Sequence, residues 1–464
     1  MADLNEPEVE NVPLPNREPL CRVGIVLRED SKSKMVLELP AGRFKLEEGE
    51  TSFLLDSQSA VDLIFEAQGN EIVCFESDGA APIHSGDTLS IEPLKVQETL
   101  LPKGGMLLKG VVAGRGFHWQ KEVDLTYPGR LEFFAREGNL IVVNVLPMEA
   151  YLACVVTSEM SGACPAEFLK AQATAARSWM MVFLKNKHTG EPFSICNDDC
   201  CQRYQGTTFL SDHVAGAVER SRGMFIVTEE GYLCAAYYSK SCGGIMERAQ
   251  NIFGEGAVGI SEKPDAPDGS ITSDFNPVTE ENIREWVTGK FLKKSDSFCS
   301  PNVCPEETLP KYLGAVDEAG KYYRWRVEYA RQELEDILRQ KAGVADMAEF
   351  VDFHPIQRGN SGRLHELGII YRDGGANLKT LTVKSQYEIR RVLHEKFLFS
   401  SAFVWDFERD ADGRINKIAL RGAGWGHGVG LCQIGALGMS LQGHSYEDII
   451  KHYYSGCTLV RAYE

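Results

Sequence analysis

The first third of the chain contains short apolar runs that alternate with polar residues and are separated by turn-forming residues. Examples are CRVGIVL, SKMVLEL and SAVDLIFEA, followed by RLEFFAREGNLIVVNVL. Alternation with a period of two predicts β-strands with one buried face, and Gly138-Asn139 predicts the tight turn of a hairpin. We therefore expect a β-rich N-terminal region over residues 20–130, with strands continuing to about Val145.

The pattern changes to helical spacing after Glu149. In VVTSEMSGACPAEFLKAQATAARSWMMVFLKNK, the apolar positions recur every three or four residues, which predicts a helix. Pro165 lies at the start of this helix, where a missing N–H costs little. After Gly223, strand patterns return in MFIVTEE and YLCAAYYSKSCGG.

Residues 260–400 are polar, charged and mixed in pattern. We predict a helix near Gln332–Lys341 and strands at Leu364–Tyr371 and Leu378–Val383. The segment interrupts two parts that are richer in apolar and small residues. Those two parts must pack together if they serve one site.

Composition limits the classes of partner. The chain has 464 residues and a formal net charge of −17, so it is long enough for two or three domains and lacks the basic excess that nucleic acids and anionic membranes require. A glycan, read by hydrogen bonds and stacking, remains compatible with this charge. No apolar run approaches the length of a transmembrane helix. The start, MADLNEPEVENVPLPNREP, lacks the features of a signal peptide, and residues 1–19 predict a disordered leader.

Glu159 is the carboxylate that the pattern singles out. It ends the apolar stretch VVTSE, which would desolvate the side chain and raise its pKa, as a proton donor requires. The competing Glu167 lies in the first turn of the next helix, where a negative charge suits the helix dipole. We therefore interpret Glu167 as structural.

A cluster of metal-ligand residue types follows the long helix. His188, Cys196, Cys200 and Cys201 supply an imidazole and three thiols within one short stretch, and Asp198 and Asp199 are poorer rivals to the thiolates. The alternative is a reduced or disulfide-linked cluster without metal.

The chain has 13 cysteines. Their surroundings predict that Cys154, Cys164, Cys234 and Cys432 are buried, inert thiols. Cys299 and Cys304 fit either a loop disulfide or half of a second metal site, and the sequence favours neither.

Two long motifs resemble one known family. VVTSEM with PAEFLKAQATAARS resembles the core motif of the stage II sporulation protein D family, also called the SpoIID/LytB or amidase-enhancer family. GAGWGHGVGLCQIGALGMSLQGHSYEDIIKHYYSG resembles its C-terminal signature. The resemblance covers Leu131–Glu255 and Asn416–Glu464 well and the remainder loosely.

This resemblance implies an α+β fold with a SpoIID-like catalytic domain, a β-rich N-terminal region and an inserted elaborating region. We divide the chain accordingly into a leader, a β-rich region, the first part of the core, an insertion and the C-terminal part of the core: residues 1–19, 20–130, 131–259, 260–400 and 401–464.

The resemblance also implies an activity. The best-understood family members are lytic transglycosylases of bacterial peptidoglycan, and their catalytic glutamate falls on Glu159. Such an enzyme cleaves the β-1,4 bond between N-acetylmuramic acid and N-acetylglucosamine with one acid/base, leaving a 1,6-anhydro end. The implied partners are peptidoglycan glycan strands in the cell envelope, and a cell-wall amidase is a further candidate. The route of export stays open.

The resemblance assigns roles to the other candidates. His188, Cys196, Cys200 and Cys201 resemble the family's zinc site, with Cys200 where the family often has histidine, and the implied zinc is structural. YYSKSCGG resembles the family's Y-x-S-x-x-S-G-G segment, with Cys242 in place of the last serine. The implied substrate-binding residues are Tyr238, Ser239, Ser241, Trp425, His427 and Gln433.

Each of these roles has a purely structural alternative. The Tyr238 segment could be a plain strand end, and His427 could be a core histidine. The glycines of GAGWGHG do not predict a nucleotide loop, because no Walker lysine or following βαβ unit accompanies them.

Two other classes of function stay open. One is a non-catalytic, glycan-binding enhancer of an amidase. The other is a thiol enzyme built on a cysteine with His427 or His188, which no Cys-His signature supports.

Overall fold

The computed structural model describes residues 9–77, 79, 81–94, 104–115, 120–315, 317 and 320–464. Its N-terminal region is β-rich, as the alternating pattern predicted. The strands are β1 (Leu20–Val26), β2 (Lys34–Leu39), β3 (Gly42–Glu48), β4 (Thr51–Ser57), β5 (Val61–Gln68), β6 (Glu71–Glu76), β7 (His84–Gly86), β8 (Thr88–Pro93), β9 (Met106–Ala113), β10 (Lys121–Tyr127), β11 (Arg130–Arg136) and β12 (Asn139–Pro147).

These strands form two sheets that share one core. The first sheet has the order β4-β3-β8-β11-β12-β1, and the short strand β13 (Ile195–Cys196) adds to β1 in parallel. The second sheet has the order β10-β9-β2-β5-β6-β7. Phe65 of the second sheet stacks on Phe133 of the first, with ring centroids 3.7 Å apart. The alternating apolar residues therefore meet between the sheets.

The β11–β12 hairpin corrects one detail of the sequence analysis. Its turn residues are Glu137 and Gly138, with φ of +53° and +78°, and Asn139 already pairs with Arg136. The turn thus lies one residue earlier than the predicted Gly138-Asn139. Two positive φ values suit the right-handed twist of the strands, and only Gly138 adopts one without cost.

Helices begin where the pattern changes. They are α1 (Met148–Glu159), α2 (Ala166–Phe183), α3 (Asp212–Arg220) and the single turn α4 (Gln250–Phe253), with strands β14 (Met224–Thr228) and β15 (Tyr238–Ser239) between the last two. Pro165 immediately precedes α2, as predicted. Every residue of α1 except Ala150 is buried, so this helix lies inside the domain.

The inserted segment has a hydrophobic core of its own, which includes Trp325, Leu338 and Phe353. Its elements are α5 (Ile283–Thr288), β16 (Arg324–Ala330), α6 (Arg331–Lys341), β17 (Met347–Arg358), β18 (Leu364–Asp373), β19 (Leu378–Lys384), α7 (Gln386–Val392), β20 (Phe403–Arg409) and β21 (Ile415–Ala423). The predicted helix and both predicted strands are confirmed. The sheet β16-β21-β20 combines one strand before residue 400 with two strands after it, the last ending at Ala423.

The C-terminal segment returns to the first part of the core. It consists of β22 (Leu431–Cys432), α8 (Gln433–Leu441), α9 (Tyr446–Tyr453) and β23 (Cys457–Arg461). Strand β22 pairs in parallel with β15, and β23 pairs antiparallel with β14. The C-terminal segment is therefore joined to the first part of the core by hydrogen-bonded strands. Among the described residues, no helix combines the length and apolarity needed to span a membrane.

The described part of the predicted leader packs on the domain. Leu233 N donates to Val12 O at 2.9 Å, Glu149 N donates to the Glu18 carboxylate at 2.9 Å, and Val12 and Leu14 contact the core. Residues 9–19 therefore differ from the predicted disorder, because their few apolar side chains find an apolar surface. Residues 1–8 lie outside the described residues.

A buried ion pair ties the central helices to the C-terminus. Arg177 on α2 is fully buried and binds Glu149 on α1 through two hydrogen bonds, of 2.9 and 2.6 Å. The Glu149 carboxylate also accepts from Gly223 N at 3.2 Å and from the Tyr463 hydroxyl at 2.7 Å. Arg177 Nη1 donates to Met224 O at 3.0 Å. Both charges are thus neutralised and hydrogen-bonded in the interior.

We expect Glu149→Gln to lower the free energy of unfolding by about 3–5 kcal/mol, because it leaves the Arg177 charge buried without a counter-charge. Chemical denaturation measures the change. The matched control is Asp56→Asn, which breaks the exposed pair with Arg43 and should cost less than about 1 kcal/mol. Equal effects of the two changes would contradict this role of the pair.

Candidate active site

Glu159 lies at the C-terminal end of the buried helix α1. The following residue, Met160, is extended, with φ −142°, and bridges to Leu313. Lys240 Nζ donates to the main-chain carbonyl of Glu159 at 2.8 Å, which satisfies one of the acceptors left open at a helix end. The local structure therefore fixes the backbone from which the carboxylate projects.

Three distant segments contact the Glu159 carboxylate. Oε1 accepts from the Tyr238 hydroxyl at 3.1 Å and from Arg203 N at 3.2 Å, and Oε2 accepts from Gln433 Nε2 at 3.3 Å. Only 8% of Glu159 is exposed. Both motifs thus contribute to one site, as the sequence required.

Burial raises the pKa of Glu159, while the charges of Arg203 and Lys240 act to lower it. The net direction is upward. A raised pKa keeps more of the carboxyl group protonated near neutral pH, which is the state that a proton donor needs. The expectation from the apolar VVTSE stretch is therefore met by the geometry.

A charge network surrounds Glu159, and the sequence analysis missed it. Arg203 binds Asp199 at 2.6 Å and Asp317 at 2.7 Å, and Lys240 Nζ binds the other oxygen of Asp317 at 2.7 Å. Burial acts to raise the pKa of Asp317, but Lys240 and Arg203 hold it below its usual range. The carboxylates of Asp199 and Asp317 are therefore both held in ion pairs.

These network residues had only partial signals in the sequence. Lys240 lies between the two serines of the Tyr238 segment, and Arg203 follows Cys201 by two positions. Each could have been noted from the sequence as a positively charged residue next to a candidate site residue. Asp317 carries no local signal, because its role arises from contacts with residues 77 and 114 positions away.

Among the other substrate-binding candidates, the two serines are buried, whereas Trp425 and His427 are half-buried. Ser241 is fully buried, and its main chain pairs with Trp425 through bonds of 3.0 and 2.8 Å. The Ser239 hydroxyl is also buried. The Trp425 ring lies against Tyr322 and Phe399, with centroids 4.6 and 4.5 Å away. In the Tyr238 segment, Tyr238 and Lys240 contact Glu159, and the Ser241 hydroxyl accepts from Gly243 N at 3.3 Å.

His427 hydrogen-bonds to the main chain of Tyr238. Its Nδ1 accepts from Val429 N at 3.0 Å, so Nε2 carries the proton that is donated to Tyr238 O, also at 3.0 Å. Burial, with Arg363 and Arg390, lowers the pKa of His427 to about 3. The ring is thus neutral with both nitrogens engaged by protein atoms. The role of His427 in binding a sugar stays a prediction.

The predicted metal ligands form a cluster at the edge of the first sheet. His188 Nε2 lies 3.2 Å from Cys201 Sγ, and Cys196 Sγ lies 2.8 Å from Cys200 Sγ. The four ligand atoms lie within 4.8 Å of one another. Cys196 is held by strand β13, which pairs with β1. Three thiols and one imidazole are the ligand types of a tetrahedral zinc site. The Cys196 and Cys200 sulfurs are closer than the about 3.8 Å that separates two sulfur ligands of tetrahedral zinc, so they would have to move apart to bind the ion.

The neighbouring aspartates point away from this cluster. Asp198 Oδ2 accepts from Arg115 N at 2.7 Å, and Asp199 binds Arg203. Arg203 in turn places its N–H on Glu159. The loop that follows the metal ligands therefore forms one wall of the candidate active site.

Comparison with known proteins confirms the resemblance. Residues 136–227 match the family model described as Stage II sporulation protein. The matched range contains Glu159 and the His188 cluster. Residues 285–430 match a second model, described as a domain of unknown function, DUF8618.

Relatives extend the likeness at modest identity. An uncharacterized protein of Brachyspira hyodysenteriae is 26% identical over 338 residues, which are 72% of this chain and 73% of that protein. Stage II sporulation protein D of Bacillus amyloliquefaciens is 27% identical over 328 residues, 70% of this chain and 78% of that protein. The amidase enhancer of Bacillus subtilis is 26% identical over 311 residues, 66% of this chain but 39% of that protein.

We expect Glu159→Gln to stabilise the fold at neutral pH. Because the pKa of Glu159 is higher in the folded than in the unfolded protein, its ionisation costs wild-type stability as pH rises. The cost is about 1.4 kcal/mol for each pH unit that separates the two pKa values. The Gln433 amide can rotate to accept from the new side chain. Chemical denaturation near pH 7.5 should show the gain, which should shrink near pH 4.

The matched control is Glu167→Gln, for which we expect the opposite change in stability. Burial acts to raise the pKa of Glu167, but hydrogen bonds from Lys170 and Tyr446 N leave it lowered. This variant should be less stable than the wild type near pH 7.5. The difference should shrink as the pH falls through the pKa that Glu167 has in the folded protein. A gain from Glu159→Gln that does not depend on pH would contradict the raised pKa.

Proposed function

We propose that this protein is a peptidoglycan lytic transglycosylase with Glu159 as its single acid/base. The observation that carries the proposal is the environment of Glu159: it is a nearly buried carboxyl group with a raised pKa. Its Oε1 is held by Tyr238 and Arg203, and its Oε2 by Gln433 of the C-terminal motif. The match to the sporulation protein family and the names of the relatives support a role in the cell wall and its envelope compartment.

The reaction needs one carboxyl group. Protonated Glu159 gives its proton to the glycosidic oxygen as the bond from that oxygen to C1 of N-acetylmuramic acid breaks. The 6-hydroxyl oxygen of the same sugar then bonds to C1, and its proton returns to Glu159. No water is consumed, and the products are a free 4-hydroxyl and a 1,6-anhydro end. The positive charges of Arg203 and Lys240 favour the ionised intermediate state of Glu159.

The charge network supports this mechanism over hydrolysis. Hydrolases normally use a second carboxylate as base or nucleophile. Asp199 and Asp317 are the carboxylates in the network, and both are held in ion pairs by Arg203 and Lys240. Tyr238 and Gln433 then serve to orient the acid, and Trp425 remains the candidate for sugar stacking.

The second candidate is a non-catalytic enhancer of a cell-wall amidase, which the name of the Bacillus subtilis relative favours. Such a protein would bind glycan strands without cleaving them. Mass spectrometry of purified glycan strands after incubation with the protein separates the two candidates, because only an enzyme generates new ends.

Glu159→Gln should lower the rate of strand cleavage by roughly 10²–10⁴, since the amide cannot transfer the proton. Glycan binding should stay nearly intact. The wild-type product should be a 1,6-anhydromuramyl end, lighter by one water than a reducing end. Glu167→Gln is the control and should retain activity, because the Glu167 side chain binds Lys170 and Tyr446 rather than the Glu159 carboxylate. Reducing ends, or full activity in Glu159→Gln, would overturn the proposal.

We also propose that His188, Cys196, Cys200 and Cys201 hold a structural zinc ion. Cys196→Ser should lower the melting temperature and reduce the zinc content by about one ion per chain, because a structural zinc stabilises the folded state. Elemental analysis of protein purified without chelator measures the metal. Cys457→Ser, at a partly buried thiol outside the cluster, should keep it. Zinc content unchanged in Cys196→Ser would refute this site.

A further inference from the structure

A second cluster of metal-ligand groups lies buried behind the active site. Cys242, Asp265, Cys299 and Cys432 come from four separate segments, and their ligand atoms lie within 4.8 Å of one another. Each of the four is at most 2% exposed. Cys299 is one of the two cysteines left open by the sequence, whereas Cys304 donates instead to the carbonyl of Ile434.

The separations match a tetrahedral metal site. Cys242 Sγ lies 3.7 Å from Cys299 Sγ and 3.1 Å from Asp265 Oδ2. Zinc–sulfur bonds of about 2.3 Å place two tetrahedral sulfur ligands about 3.8 Å apart. The sulfur atoms of Cys242 and Cys299 are therefore spaced as two ligands of one ion rather than as a disulfide.

Backbone amides are arranged to stabilise thiolates. Cys432 Sγ accepts from Cys242 N at 3.2 Å and from Gly435 N at 3.3 Å, at the N-terminus of α8. Cys242 Sγ accepts from Gly244 N at 3.3 Å. Helix N-termini and N–H donors favour the ionised sulfur, which is the form that binds metal.

The turn after Cys242 needs glycine. Gly243 and Gly244 have φ of +80° and +109°, and a Cβ on Gly244 would lie 2.8 Å from Ser297 Oγ. This turn directs the Gly244 N–H back to the preceding sulfur. Cys242 itself stands where the family motif has serine, so this thiol is a departure of the present chain.

Asp265 is oriented for ligation. Its Oδ1 accepts from the Tyr453 hydroxyl at 2.8 Å and lies 3.3 Å from His452 Nε2, which leaves Oδ2 facing the sulfurs. Gly435 provides the room, since a Cβ there would lie 2.3 Å from Asp265 Oδ2. Hydrogen bonds of this kind to a ligating carboxylate are typical of metal sites.

Cationic groups offset the remaining charge. Arg363, fully buried, donates to Cys242 O at 3.1 Å, and Arg324 donates to Gly243 O at 2.8 Å. Three thiolates and a carboxylate carry more negative charge than one divalent ion neutralises. The two guanidinium groups beside the Cys242 turn supply the balance.

We propose that Cys242, Cys299, Cys432 and Asp265 bind a second zinc ion. This site is separate from the His188 cluster and does not depend on the proposed catalytic activity. It links the Tyr238 segment, the loop that contains Cys299 and the start of α8, and it ends one residue before Gln433, which contacts Glu159.

Zinc content per chain tests the proposal. Wild-type protein purified without chelator should contain about two zinc ions, and both Cys299→Ser and Cys196→Ser should contain about one. The Cys457→Ser control should keep the wild-type content. Cobalt(II) loaded into Cys196→Ser should give sulfur-to-metal charge-transfer absorption in the near ultraviolet, because the remaining site has three thiolates. Loss of that absorption in the double variant Cys196→Ser/Cys299→Ser assigns it to the second cluster.

The outcomes distinguish the two metal sites. If only the His188 cluster binds no zinc, Cys196→Ser should keep the wild-type zinc content, and Cys299→Ser should lose its zinc. The second site is overturned by a Cys196→Ser protein that contains no zinc and gives no cobalt absorption, a result that does not require Cys299→Ser to fold. A Cys242–Cys299 disulfide found by non-reducing peptide mapping of the wild-type protein also overturns it.

Discussion

The arrangement of the site depends on the buried ion pair between Glu149 and Arg177. Glu149 lies in the first turn of α1 and Glu159 at its last residue, so one rigid helix of about 15 Å connects the two carboxylates. The pair also holds the turn at Gly223 and the C-terminal Tyr463. Strand β14 begins and strand β23 ends beside this pair, so the strands that join the two halves of the core share an anchor with the helix that carries Glu159.

The surroundings of Glu159 reconcile two opposed requirements. A proton donor must be protonated before the reaction, which burial favours, and must be tolerated as an anion afterwards, which nearby cations favour. Arg203 and Lys240 provide those cations, and the charge of Asp199 opposes them by raising the pKa of Glu159. The balance leaves the pKa raised while the ionised state still has partners.

Features encoded by short-range signals were predictable from the sequence. Pro165 marked the start of α2, helical spacing gave α6, and alternation gave β18 and β19. The hairpin turn was displaced by one residue because Glu137 accepts a positive φ that favours glycine or asparagine. Glu159 and the His188 cluster could be found from motifs. The depth of Ser241, the two protein partners of His427 and the role of Asp317 could not, because each results from contacts between distant segments.

Each of the two cysteine clusters lies next to a residue that contacts Glu159. Oε1 of Glu159 accepts from Arg203 N, two residues after Cys201, and Oε2 accepts from Gln433, one residue after Cys432. Neither contact comes from the middle of a long helix or strand, so neither is rigid by secondary structure alone. Ligation of the adjacent cysteines would hold both loops, and the free energy of metal binding would then fix the carboxylate from two sides. A carboxylate held in this way needs little reorganisation when its proton moves, which is the condition for efficient acid catalysis.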